Sequence, residues 1–147
     1  MRVFVLLAAI LLAACQSRDG SLEDLRTRTI TLPNGSTIVA EVVIDPIDMA
    51  RGLMFRDNLP RGHGMLFIHQ EAGPQHYWMY QVKIPLDIIF MDSQRRIAEI
   101  SANTPPCTTV ASQCPTYGSF GATRYVLELG GGEAQRLGLK TGDTLTF

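Results

Sequence analysis

From Thr27 to Phe147 the apolar and polar positions trade places at short intervals, and the prevailing period is that of a strand. Thr27 to Leu32 and Ser36 to Ile44 are rich in β-branched residues, and Ile38, Ala40, Val42 and Ile44 share one face of the second run. Pro33-Asn34-Gly35 between them favours the positive φ angles of a tight turn, so these two strands form a hairpin. Asp45-Pro46 opens a short helix, with Asp45 as cap, Pro46 at the first helical position and Asp48 in the first turn. The breakers of 57–64 end it in a loop. Further strands are expected at Met65 to His69, from His76 onward, at Leu86 to Met91, Ile97 to Ser101, Tyr125 to Leu129 and Thr144 to Phe147, with a helical turn at Glu133 to Leu137. Many short strands, two short helices and no alternation of strand and helix predict an all-β fold, an antiparallel β-sandwich or jelly-roll-like barrel.

One stretch breaks the two-sided pattern. In His76-Tyr77-Trp78-Met79-Tyr80 the even positions share one strand face and the odd positions the other, and neither face suits water. Something must cover both. The long segment Ala102 to Ala122, with three prolines, could lie over it, in which case the strand is doubly buried. Otherwise Trp78 and Tyr80 form an amphipathic platform for a sugar, a peptide or an apolar face.

Before the strands begin, MRVFVLLAAILLAAC has one positive charge, an apolar run and small residues ahead of Cys15. That is the pattern of a secretory signal, too short to span a bilayer. Leu12-Ala13-Ala14-Cys15 is similar to the lipobox of bacterial lipoproteins, in which the chain is cut before the cysteine and the thiol takes the lipid. The expected organisation is a signal peptide at 1–14, the lipidated cysteine with a flexible tether at 15–26, and one β-domain at 27–147. The lipid anchors such a chain to a membrane facing the periplasm. Gln16, where Asp tends to retain relatives at the inner membrane, favours the outer one.

With Arg2 removed, twelve basic residues face fourteen acidic ones, which gives no support to nucleic-acid binding. Cys107 and Cys114 remain after lipidation, and outside the cytosol such a pair predicts a disulfide. Their spacing fits neither a CXXC redox motif nor a zinc site.

The pieces ARGLMFRDNLPRGHGMLFIH, HYWMYQVKIPLDIIFMD and YVLELGGGEAQRLGLKTGDTLTF, in that order, resemble the family known as domain of unknown function 192 (DUF192). The resemblance implies a β-sandwich in a small secreted or lipid-anchored protein, and no established activity. After Trp78-Met79 relatives often carry Lys-Asn-Thr, whereas this chain has Tyr80-Gln81-Val82, an aromatic patch in place of a cationic and amide-rich one.

Candidate chemistry centres on Arg51 and Arg56, whose guanidinium forks could hold an anionic ligand, and on Asp87, a carboxylate in an apolar strand that one of these arginines could instead neutralise. Arg61 belongs to the same cationic set. Together with Trp78 and Tyr80, the residues Arg51, Arg56 and Asp87 are expected to line or support a cleft for a small molecule or an envelope partner. His63, His69 and His76 with Met54, Met65 and Met79 raise a less favoured copper-handling alternative. A small hydrolase-like enzyme is the other alternative, although no nucleophile elbow or carboxylate pair is evident and no cofactor is implied.

Overall fold

The computed structural model describes residues 26–147, with the side chains of residues 119 and 120 excepted. The signal segment, Cys15 and most of the tether therefore lie outside the described residues.

Strands β1 (Thr27–Thr31) and β2 (Thr37–Val43) form the expected hairpin, Asn34 accepting from the Ser36 backbone in the turn. Helix α1 (Pro46–Arg51) follows, with Asp45 accepting from the Ile47 and Asp48 N–H groups. Then come β3 (His63–Trp78), β4 (Leu86–Met91), β5 (Ile97–Thr104), β6 (Thr116–Gly130) and α2 (Glu133–Arg136). The sheet order is β1-β2-β3-β6-β4-β5.

The all-β class agrees with the sequence pattern, but the wholly antiparallel arrangement does not. β2 and β3 run parallel, because α1 and the loop after it carry the chain across before β3 begins. The two strands expected at Met65 to His69 and from His76 onward are one sixteen-residue strand, bulged where the pairing with β6 shifts register on both sides of Gly73. Much of 102–122 is also strand rather than cover. β5 runs to Thr104 and β6 starts at Thr116, leaving only the disulfide loop between them. At Gly118 an added Cβ would lie 2.0 Å from the Gln75 carbonyl, so only glycine lets β6 approach β3 there.

Backbone pairing of Thr146 with Thr31, and of Thr144 with Arg96, ties the chain's last residues to β1 and to the start of β5. This links the two sheet edges in a barrel-like arrangement. One core lies on the inner side, built from Ile30, Ile38, Leu66, Ile89, Leu127 and Leu145 among others. The other face of β3, β6 and β4 carries Met65, Phe67, Val126, Ile88 and Phe90, and is covered by Leu53, Met79 and Val82 from the flanking loops. Because both faces are apolar, the central strands read as unbroken hydrophobic runs. No helix among the described residues is long and apolar enough to cross a membrane.

Cys107 and Cys114 are bonded across a sequence separation of 7. The Cys107 N–H donates to the Met79 carbonyl at 3.1 Å, so the loop lies beside the end of β3. Replacing both cysteines by serine is expected to lower stability by about 2–3 kcal/mol, from the freedom regained by the unfolded chain. Urea unfolding of the pair variant, with a native-like circular dichroism spectrum retained, checks it.

Candidate functional site

The site grows from the short helix α1. Gly52 ends α1 at φ +46°, and the chain folds back so that Arg56 reaches β2. There the guanidinium forks onto Glu41 through Nη1 at 2.5 Å and Nη2 at 2.6 Å. That bond holds the Glu41 carboxyl below its ordinary range and raises the arginine in turn. Phe55, between these residues, sits at φ +66°, an uncommon conformation for a side chain of this size, and its ring is 52 % exposed. Its N–H donates to the Gln81 carbonyl at 2.9 Å, which fixes the loop against the end of β3.

Two cavities flank this loop. The larger, about 430 Å³, opens between β2 and α1 and is lined by Arg26, Glu41, Asp48, Arg51, Phe55 and Arg56, among others. Arg56 is committed to Glu41, whereas Arg26 and Arg51 make no ion pair among the described residues. Positive charge therefore remains for an anion.

The smaller cavity, about 30 Å³, lies on the other side of the loop and shares Arg51, Gly52 and Met54 with the first. Its remaining wall includes Phe67, Tyr77, Trp78 and Glu128. The Tyr77 ring packs edge-on against Phe67 and Phe90, with centroids 5.2 and 5.8 Å away, and its hydroxyl lies 3.0 Å from His69 Nε2. Burial raises the Tyr77 hydroxyl well above its ordinary value and, with Arg124 nearby, depresses His69. Glu128 stands in mid-sheet, opposite Met65 on β3 and Ile88 on β4, and is 5 % exposed. Burial pushes its carboxyl up to about 8.

Of the residues singled out from sequence, Arg51 lines both cavities, Arg56 lines the larger and Trp78 the smaller. Trp78 is 40 % exposed, and Tyr80 packs on it at 5.3 Å between centroids. The platform face of the strand thus remains open to solvent, while Tyr77 and Met79 enter the core. Asp87 is elsewhere. Fully buried, it pairs with neither Arg51 nor Arg56 and instead accepts from the backbone N–H groups of Asn103, Gly132 and Ala134 at 2.6, 3.0 and 2.7 Å. It shapes the 130–134 turn and lies outside both cavity walls. The copper-handling candidates diverge as well, for Met65 and Met79 are core residues while His63 and His76 are exposed.

Glu128 escaped sequence reasoning. The signal was available, since an acid inside Val126-Leu127-Glu128-Leu129 is as anomalous as Asp87 inside its own apolar strand.

The profile of the family described as Uncharacterized ACR, DUF192, matches residues 29–147. The chain belongs to the DUF192 family. Two solved structures are similar to it. A Sinorhizobium meliloti 1021 protein, provisionally described as a transcription regulator, is 33 % identical, with 80 % of this chain and 89 % of that one covered and a TM-score of 0.70. A protein of unknown function from Novosphingobium aromaticivorans DSM 12444 is 36 % identical, with coverage of 82 % and 84 % and a TM-score of 0.71. No curated protein matches the chain. In this DUF192 protein the Gly52-Leu53-Met54-Phe55-Arg56 piece builds the wall between the two cavities, and the Ile84-to-Asp87 and Leu127-to-Gly132 pieces meet through the Asp87 hydrogen bonds.

Proposed function

We propose that this DUF192 protein is a binding module, lipid-anchored through Cys15 and facing the periplasm, that it does not bind nucleic acid, and that its cleft takes a small molecule bearing a carboxylate. The observation that carries the reading is the arginine-lined cavity of about 430 Å³, in which Arg51 and Arg26 have no carboxylate partner among the described residues. Arg56, locked to Glu41, acts as wall, and the exposed Trp78, with the half-buried Tyr80 packed on it, supplies an adjoining aromatic surface. A formal net charge of −1 weighs against extending the regulator description of the Sinorhizobium protein to this chain as nucleic-acid binding.

A hydrolase-like alternative has one observation in its favour, the carboxyl of Glu128 pushed up to about 8, in the range of a general acid. No serine, cysteine or second carboxylate lines that recess.

Native mass spectrometry of protein taken from its own envelope tests the reading. The chain is expected to begin at Cys15 with its lipid and to carry a small carboxylate-bearing adduct that Arg51→Ala loses. A soluble, unlipidated chain overturns the anchor, and an adduct unchanged in Arg51→Ala overturns the cleft.

A further inference from the structure

The recess beside Glu128 is too small for a ligand and large enough for one end group. About 30 Å³ admits a group of roughly water size. Its wall contains the rings of Phe67, Tyr77 and Trp78, and the Tyr77 hydroxyl is already engaged by His69. Glu128 lines the same space and has no hydrogen-bond partner among the described residues. A buried carboxyl left in that condition is costly. The complementary group is compact, rich in N–H donors and positively charged, and aromatic faces favour the same charge. A primary ammonium meets these conditions, whereas a guanidinium or a trimethylammonium is too wide.

Resting on the cleft reading above, we infer that the ligand is an amino carboxylate whose ammonium enters the recess with Glu128 as counter-ion while its carboxylate lies against Arg51 in the cleft. Arg51, Gly52 and Met54 border both cavities, so one short chain passing the end of α1 reaches both.

The other ionisable groups on the recess wall are Tyr77 from β3, which couples to Glu128, and Arg51 from α1, while Met65 and Ile88 oppose Glu128 on the neighbouring strands. In the empty site burial keeps Glu128 protonated to about pH 8. An ammonium beside it favours the carboxylate, so binding expels a proton and affinity rises with pH, by at most about tenfold per unit, until it levels near that value. His69 is shifted down and Tyr77 up, so neither produces a rise between pH 7 and 8.

Calorimetric titration with ω-amino carboxylates from glycine to 6-aminohexanoate, each beside the plain carboxylate of equal length, at pH values from about 6.5 to 8.5, tests the inference. At least one amino carboxylate is expected to bind about tenfold tighter than its plain counterpart, with the advantage growing with pH. Glu128→Gln is expected to abolish both the advantage and its pH dependence. Trp78→Ala, at the exposed rim, is a second check and is expected to reduce the advantage while sparing plain-carboxylate affinity. An amino group that adds nothing at any length, or an advantage that survives both substitutions, overturns the inference. The cleft reading then stands if plain carboxylates still bind and Arg51→Ala removes them, and falls if nothing binds.

Discussion

Asp87→Ala is expected to lower the stability of this DUF192 protein by about 4 kcal/mol, among the largest losses available from one side chain outside the apolar core. Asp87 is fully buried and its two oxygens accept from three backbone N–H groups, those of Asn103, Gly132 and Ala134. Hydrogen bonds to a charged acceptor contribute roughly 1.5–3 kcal/mol each, and removing the acceptor leaves the buried donors unsatisfied. The loss is not a simple sum, because the 130–134 turn can relax toward water. Asp87→Asn retains one oxygen but turns an NH₂ toward a donor, so a smaller loss of about 2–3 kcal/mol is expected. The same turn is guarded sterically, since a Cβ on Gly131 would lie 2.6 Å from Asn103 Oδ1 and 2.9 Å from Pro85 Cβ. Gly131→Ala should therefore destabilise alongside Asp87→Ala. Urea unfolding of the three variants checks the ranking, and a loss under about 1 kcal/mol for Asp87→Ala contradicts the bracing role.

Local chemistry was legible wherever a few residues settle the conformation. Asp45 caps α1 as its type and place predict, Asn34-Gly35 turns the first hairpin, and Cys107 meets Cys114. The parallel pairing of β2 with β3 was not legible, because a strand period says which side chains share a face and nothing about the direction of the neighbour. The single long β3 was hidden by Gly73-Pro74, a pair that marks a turn and a bulge equally well. At the site, Arg51, Arg56 and Trp78 were found by type, yet their division between two cavities depends on the fold-back after Gly52. Asp87 was rightly singled out as anomalous, but its partners are backbone groups 16, 45 and 47 residues away, which no local pattern encodes. Glu128 was missed because LELGGG reads first as a strand running into a turn.

Glu128 makes the second large prediction, that stability falls as pH rises from the weakly acidic range to about 8. Its carboxyl has an ordinary value of 4.5 and is pushed up to about 8 in the folded chain by burial. Between those values the native state holds a proton that the unfolded state has released, so the folded state loses ground with every unit of pH. At about 1.4 kcal/mol per unit the loss is of order 5 kcal/mol across the window. It is absent below the unfolded value and complete above the folded one. Glu41 runs the other way, since Arg56 holds its carboxyl down and its contribution disappears only as the solution becomes acidic. The two therefore act in separate ranges, and the alkaline limb belongs to Glu128. Chemical unfolding at intervals between pH 5 and 9 is expected to show this decline in the wild type and none in Glu128→Gln, where the depressed His69 leaves only a small rise at the acidic end, with the two curves diverging as pH rises. A decline of equal slope in both proteins would assign the effect to another group, and with it would go the physical basis for treating the recess as a proton-linked site.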